Sequence, residues 1–298
     1  MRIGLIGVPF NSAGVSHGEA RAPAALRASG LIEALQRVAD VHDYGDIALR
    51  ETSPQRDPAS GIIAPVNLTE MVGAVRSEVI RAISRGDVPL VIGGDCPLLL
   101  GCLAAARDAY GRVGLFFVDG HEDAWPPQQS TTGEAADMEL GLALGVTQAT
   151  GLDDLATVLP LVRPEDVVVL GPRDRDELAV ANIPSLAPIV TYLDDKNLLK
   201  TDLVPTAKAL TRRLHAVVDR WWFHLDLDVL ATESFSAIRY PQPGGLSWPE
   251  LESIALAALQ TPGLAGWNIT IYNPDLDPEG SGAARMVSFL ERMLDQQP

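Results

Sequence analysis

The stretch 114-GLFFVDGHEDAW-125 sets an apolar run, Leu115 to Val118, directly against Asp119-Gly120-His121-Glu122-Asp123. The run carries no polar residue for either face, as expected of a strand covered by helices on both sides of a parallel sheet. Where it stops, potential metal ligands fall at alternate positions. Residues two apart in extended backbone share a face, so Asp119, His121 and Asp123 can converge on one point.

Working outward, the same texture recurs along the chain. Strands are expected at Arg2–Val8, Val88–Ile92, Gly114–Val118, Val167–Leu170, Ile189–Tyr192, Trp222–Leu227 and Trp267–Tyr272. Between them, helical periodicity covers Ala22–Ala39, Leu68–Arg85, Leu98–Ala109, Ala136–Leu144, Pro205–Val218, Trp248–Leu259 and Ala283–Leu294. This alternation predicts an α/β fold, a mostly parallel sheet between two helical layers. No repeat or low-complexity linker divides the 298 residues, so one domain over 1–298 is expected. The segment Arg50–Pro65, rich in Pro, Ser, Gly and charge, is expected to be a loop or lid.

In open parallel sheets the chemistry sits at the carboxyl ends of the strands. Two further strand ends match the first. In 222-WFHLDLDVL-230, Asp226 and Asp228 repeat the alternate spacing; in 90-LVIGGDCPLL-99, Gly93-Gly94 permits a tight turn that presents Asp95 and Cys96. Each alone has a plain structural explanation. An Asp after a strand is often a helix N-cap, and a lone His is usually hydrogen-bonded structure. Together they are harder to dismiss, because clustered carboxylates repel by about 1–4 kcal/mol per pair at ~4 Å, and a divalent cation removes that penalty. Metal binding is the favoured reading.

Composition narrows the partners. A formal charge of −16 disfavours nucleic acid and anionic membrane, leaving a small molecule as the expected substrate. No apolar run approaches the roughly 18–20 residues that a membrane helix needs. The opening MRIGLIGVPF reads as a first strand rather than a signal peptide, and Cys96 and Cys102 are the only cysteines. A reducing, cytoplasmic setting is expected.

With these stretches in view, the chain resembles the ureohydrolase family of arginase, agmatinase and formimidoylglutamase. GGDC at 93–96 resembles GGDH, DGHED at 119–123 resembles DAHxD, and DLD at 226–228 resembles the family's later DxD. PQPGGLSWPE at 241–250 resembles TPxxGGLTYRE, 273-NP-274 resembles the end of ExNP, and 6-IGVPFNSAGVSHGEARAPAALRASGL-31 resembles the N-terminal strand, loop and helix. The resemblance implies an eight-stranded sheet, assembly as a homo-oligomer (trimer or hexamer), and two Mn(II) ions bridged by a hydroxide that attacks an amidine or guanidine carbon. By position, one ion would take Cys96, Asp119, Asp123 and Asp226. The other would take Asp119, His121, Asp226 and Asp228.

The departures bear on function. Cys96 stands where the family has histidine; it is either a soft ligand, shifting preference toward Zn, Fe or Co, or an inert thiol that leaves its position weak. In 132-TGEAADM-138, the counterpart of SGNxHG, Ala136 replaces the histidine assigned to proton transfer. Glu134 or Asp137 could carry the proton beside Asp123, although Asp137 also suits a helix cap. Thr132 falls at a substrate-contact position. Ile271 replaces the carboxylate of ExNP, which disfavours a cationic guanidine such as arginine. Trp125 suggests a bulky pocket wall, and Asp174 and Asp176 in 171-GPRDRDE-177 fall at the rim. His17 is a lesser candidate, and His42, His215 and His224 read as structural.

Three functions remain open: a metal-dependent hydrolase of a linear amidine or guanidine other than arginine, a mononuclear deacylase built on Asp119, His121 and Asp226, or a non-catalytic relative.

Overall fold

The computed structural model describes residues 2–148 and 150–296. Eight strands form one sheet: β1 (Arg2–Val8), β2 (Asp40–Asp46), β3 (Val88–Gly93), β4 (Val113–Val118), β5 (Val167–Leu170), β6 (Thr191–Leu193), β7 (Arg220–Asp226) and β8 (Leu264–Thr270). Their order is β2-β1-β3-β8-β7-β4-β5-β6, and every pairing is parallel.

Alternate residues of each strand feed two separate cores. Leu115 and Phe117 of β4 join the helices Pro65–Ser84, Leu98–Tyr110 and Glu139–Leu144 on one face. Phe116 and Val118 join Leu203–Val217, Trp248–Leu259 and Ser281–Asp295 on the other. The result is the expected three-layer arrangement. Both faces are buried, which is why the strands read as unbroken apolar runs.

Four local expectations are corrected. Strand β2, sequence DVHDYGD, was not expected; it pairs with β1 alone at the sheet edge, and its side chains are exposed or half-buried, so no apolar run marks it. The helix expected over Ala22–Ala39 is two, Ala22–Ala28 and Leu31–Gln36, separated at Gly30, whose φ of 83° lies in the left-handed region. The strand expected at Ile189–Tyr192 lies at Thr191–Leu193. The helix expected over Ala136–Leu144 begins as a 3₁₀ turn at Ala135–Asp137 and becomes α-helical only at Glu139.

The segment 50–65 is a loop, and it is anchored to the rim of the site. Arg56 donates to the carbonyls of Gly61, Pro127 and Ser130, and Ile63 N–H donates to the Gly133 carbonyl.

Register does the positioning. Val118 lies opposite Leu225, and Asp226 opposite Thr270, so Asp119 leaves β4 level with Asp226 of β7. Cys96 follows the neighbouring β3 and Ile271 follows β8. Four adjacent strands thus deliver their carboxyl ends to one place.

Candidate metal centre

The loop after β3 turns at Gly94, where a Cβ would strike the backbone of Phe10. Asp95 does not cap the following helix. Its carboxylate accepts from Ser12 N and Oγ and from Cys96 N, pinning the N-terminal loop to this turn. The turn drives Cys96 under the sheet edge, where Sγ lies 2.6 Å from Asp226 Oδ2 and 3.1 Å from Thr270 Oγ1. Burial, then the charge of Asp226, pushes the thiol well above its ordinary pKa.

After β4 the chain bends through Gly120, where a Cβ would meet Arg173 and Asp228. Asp119 is fully buried: Oδ1 accepts from His121 N at 2.7 Å, while Oδ2 has no hydrogen-bond partner. His121 Nδ1 lies 2.8 Å from Asp228 Oδ2, and Asp228 Oδ1 accepts from Gly120 N at 2.9 Å. Burial opposes charge on His121, but the Asp228 carboxylate outweighs it and raises the imidazole to about 10. The reciprocal effect holds Asp228 well below the usual carboxylate range. Asp226 Oδ1 accepts from Asp228 N at 2.6 Å. Burial and the charges of Asp228 and Asp119 push Asp226 well up.

Asp123 adopts φ 42°, a left-handed conformation uncommon for a non-glycine residue, with its carboxyl facing Glu139. Burial, then the charges of Glu139 and Asp119, drives its pKa far up. Glu122 points away from the centre and holds the 185–192 segment through Ser185 Oγ and Tyr192 OH.

Above these residues opens a cavity of about 320 Å³, floored by His121, Asp123, Asp226 and Asp228. Trp125, Thr132, Glu134, Asp137 and Ile271 line it. Asp137 does not cap the helix, whose N-cap is Met138; its Oδ2 gathers the hydroxyls of Ser130 and Thr132 at 2.7 and 2.8 Å. Burial pushes Asp137 up to about 6 against those two hydrogen bonds. Glu134 accepts from Arg239 Nη2 at 2.7 Å and from Tyr240 OH at 3.2 Å.

Asp176 is corrected. It is exposed on the short helix Arg175–Val180, outside the cavity; Asp174 and Glu177 line the wall instead. Asp174 is buried and raised to about 7 by that burial.

Three carboxylate or imidazole groups here were missed or assigned a purely structural role. Glu19, buried in the cavity wall, accepts from Asn11 Nδ2 at 2.7 Å and Asn273 Nδ2 at 3.0 Å, with Arg239 3.8 Å away. Burial and the charge of Asp95 lift it to about 7. It brings a carboxylate to the cavity that Ile271 also lines, from an element far away in sequence, so no local pattern announces it. Glu139 is fully buried between Met138 and Leu140, a charge inside an apolar run and therefore a legible signal. His224 is fully buried two residues before Asp226 on β7, and alternate spacing puts it on the same strand face. Its Nε2 lies 3.6 Å from Asp119 Oδ2.

The donor atoms fall into two groups around Asp119. Asp119, His121 and Asp228 offer atoms within 4.8 Å of one another, and so do Cys96, Asp119, Glu139 and His224. Among the described residues, Asp119 Oδ2, both Glu139 oxygens and His224 Nε2 are buried without a hydrogen-bond partner. Buried polar groups are ordinarily satisfied, so the orphaned carboxylate oxygens of Asp119 and Glu139 fit a divalent cation.

Residues 1–294 match the family model described as the Arginase family. The curated arginase of Bacillus caldovelox is 27% identical over 99% of this chain and 98% of that protein. In fold, the solved native arginase from the same organism superposes with a TM-score of 0.86 at 24% identity, covering 98% of each chain. The formimidoylglutamase of Bacillus subtilis superposes at 0.73 with 20% identity, covering 99% of this chain and 86% of that one. With the family model spanning almost its full length, the chain belongs to the arginase family.

Proposed function

We propose that the chain, working as one domain over residues 1–298, is a metal-dependent hydrolase that cleaves a C–N bond in a linear amidine or guanidine. The observation that carries this reading is the convergence of His121, Asp123, Asp226 and Asp228, from the ends of adjacent strands, on the lining of a small-molecule-sized cavity, with Asp119 buried beside His121 and Asp228. The oxygen-rich donor set suits a hard cation such as Mn(II), with Asp119 offering one oxygen to each donor group. When bound by these residues, divalent cations would supply an acidified water and polarise the substrate carbon.

The remaining work falls to the chain's own side chains. Asp137 stands in for the histidine replaced by Ala136: it lines the cavity, its Oδ1 is free, and its pKa of about 6 suits holding and releasing a proton near neutrality. Trp125 walls off one side of the cavity and excludes water. Glu19 gives a positively charged amidine a carboxylate to face, offsetting the loss at Ile271. Arg239 and Tyr240 hold Glu134 at the rim, on the segment 239–242 that lines the cavity. The apolar Ile271 and the bulk of Trp125 and Tyr240 favour a substrate other than arginine, and the reading includes a cytoplasmic homo-oligomer.

The test is a panel of guanidines and amidines, assayed for urea, ammonia or formamide release with Mn(II), Co(II), Fe(II) or Zn(II). Chelator-sensitive release from one class supports the reading, and no release across the panel overturns it. One observation favours a second reading. Asp119 and His121 form a self-contained donor set with Asp228 rather than with the expected Asp226; one Zn per chain with acetyl-amide cleavage would establish a mononuclear deacylase instead.

A further inference from the structure

Resting on the two-cation reading above, we infer that Glu139 is a metal ligand, supplying beside Asp119 the donor that Cys96 does not provide. Glu139 opens the helix Glu139–Leu144 and is wholly buried between the side chains of Met138 and Leu140. Neither of its oxygens has a hydrogen-bond partner, nor has Asp119 Oδ2 nearby. The carboxyl of Asp123 faces it as well. Three buried carboxyl groups converge with no lysine or arginine among them, and only a shared proton or a cation relieves their repulsion.

The geometry fits that cation. A Glu139 oxygen, an Asp119 oxygen, Cys96 Sγ and His224 Nε2 all lie within 4.8 Å of one another. Ligands on opposite sides of a cation, each about 2.0–2.3 Å from it, span about the same distance.

Two of the four atoms are spoken for. Trp222 Nε1, which can only donate, gives its proton to Asn268 Oδ1 at 2.8 Å. That fixes the Asn268 amide, so Nδ2 faces His224 Nδ1 at 2.8 Å and donates to it. A neutral His224 therefore carries its own proton on Nε2, directed at Asp119 Oδ2, and presents no lone pair to a metal. The thiol proton of Cys96 is likewise placed between Sγ and Asp226 Oδ2. Glu139 and Asp119 remain as the open donors. The imidazole lost at position 96 is thus answered by a carboxylate from a different element.

The experiment titrates metal-free protein with Mn(II) by calorimetry and elemental analysis, for wild type, Glu139→Gln and Cys96→Ser. Wild type and Cys96→Ser should each take up two ions. Glu139→Gln should keep one and bind the second about 100-fold more weakly or worse. Thermal unfolding in chelator controls for folding: metal-free Glu139→Gln should melt at or above wild type, because the amide needs neither a shared proton nor a cation in that place, whereas a purely structural Glu139 would make it melt lower. Two ions bound normally by Glu139→Gln, loss of an ion in Cys96→Ser, or a lower melting point overturns the inference while leaving the two-cation reading intact. A wild type that binds no second ion overturns both.

Discussion

The two donor groups share Asp119 and differ in almost everything else. On the Oδ1 side, atoms satisfy one another: His121 meets Asp228, Asp228 also takes the Gly120 amide, and Asp119 takes the His121 amide. This group borders the cavity. On the Oδ2 side, Cys96, Glu139 and His224 lie sealed beneath the cavity floor, and most of the polar atoms there meet nothing. The difference is electrostatic in origin. A carboxylate and an imidazole neutralise each other when no metal is bound, whereas carboxylates facing one another need a proton or a cation. The first group keeps the residue types that the resemblance implies, whereas the second sets Glu139 and His224 beside Cys96, the position where histidine is replaced, so its open oxygens mark where this chain departs from the family.

The strongest way to break the comparison is to remove the residue both groups share. Asp119→Asn should cost both cations and lower turnover by about 10³-fold or more, the several kcal/mol that metal-ion polarisation contributes. Elemental analysis beside steady-state rates checks this. A variant that keeps both ions and a rate within tenfold would mean the two groups are not one centre.

Next in size is Asp137, above the cavity-side group. If it receives the proton that the family passes to histidine, the active form is the carboxylate, and kcat should rise as pH climbs through about 6. Asp137→Asn should lower kcat by about 10²-fold and erase that limb of the profile. An unchanged pH profile would return Asp137 to the role its hydrogen bonds already give it, gathering Ser130 and Thr132.

The sheet and the cavity-side group were legible in the sequence because they rest on local patterns. Apolar runs buried on both faces read as central strands, and alternate carboxylates at their ends read as converging ligands. Strand β2 escaped because an edge strand with polar side chains carries no apolar run. The sealed group was half legible. Glu139 is a charge within 138-MELGLAL-144 that was passed over, and His224, read as structural, sits at the alternate spacing before Asp226. Their meaning depended on how β4, β7 and the 134–144 segment meet in space. Glu19 was not legible, since it reaches the cavity across 254 residues to bond Asn273.

That long-range contact supports a smaller effect on substrate binding. Glu19→Gln keeps the side chain's size but removes the charge and turns one of the two acceptors that meet Asn11 and Asn273 into a donor; KM for a cationic guanidine should rise by about tenfold while kcat changes less. A neutral amidine analogue should bind the variant as well as wild type. If KM moves equally for both, Glu19 serves the loop through Asn11 and Asn273 and does not read the substrate's charge.

The smallest effect separates two neighbouring aspartates. Asp174 is buried in the cavity wall, accepts from Glu122 N at 3.1 Å, and its charge acts on His121. Asp176 lies two residues on and is exposed. Asp174→Asn should therefore weaken the charge that steadies the cavity-side imidazole, with a loss of about tenfold in activity, in the range that removing a residue supporting a ligand costs. Asp176→Asn should stay within about twofold of wild type, since a surface substitution away from packed features changes little. Comparable losses in both would mean that the rim is read by its total charge; a loss confined to Asp176→Asn would mean that substrate approaches over the exposed helix rather than through the cavity mouth.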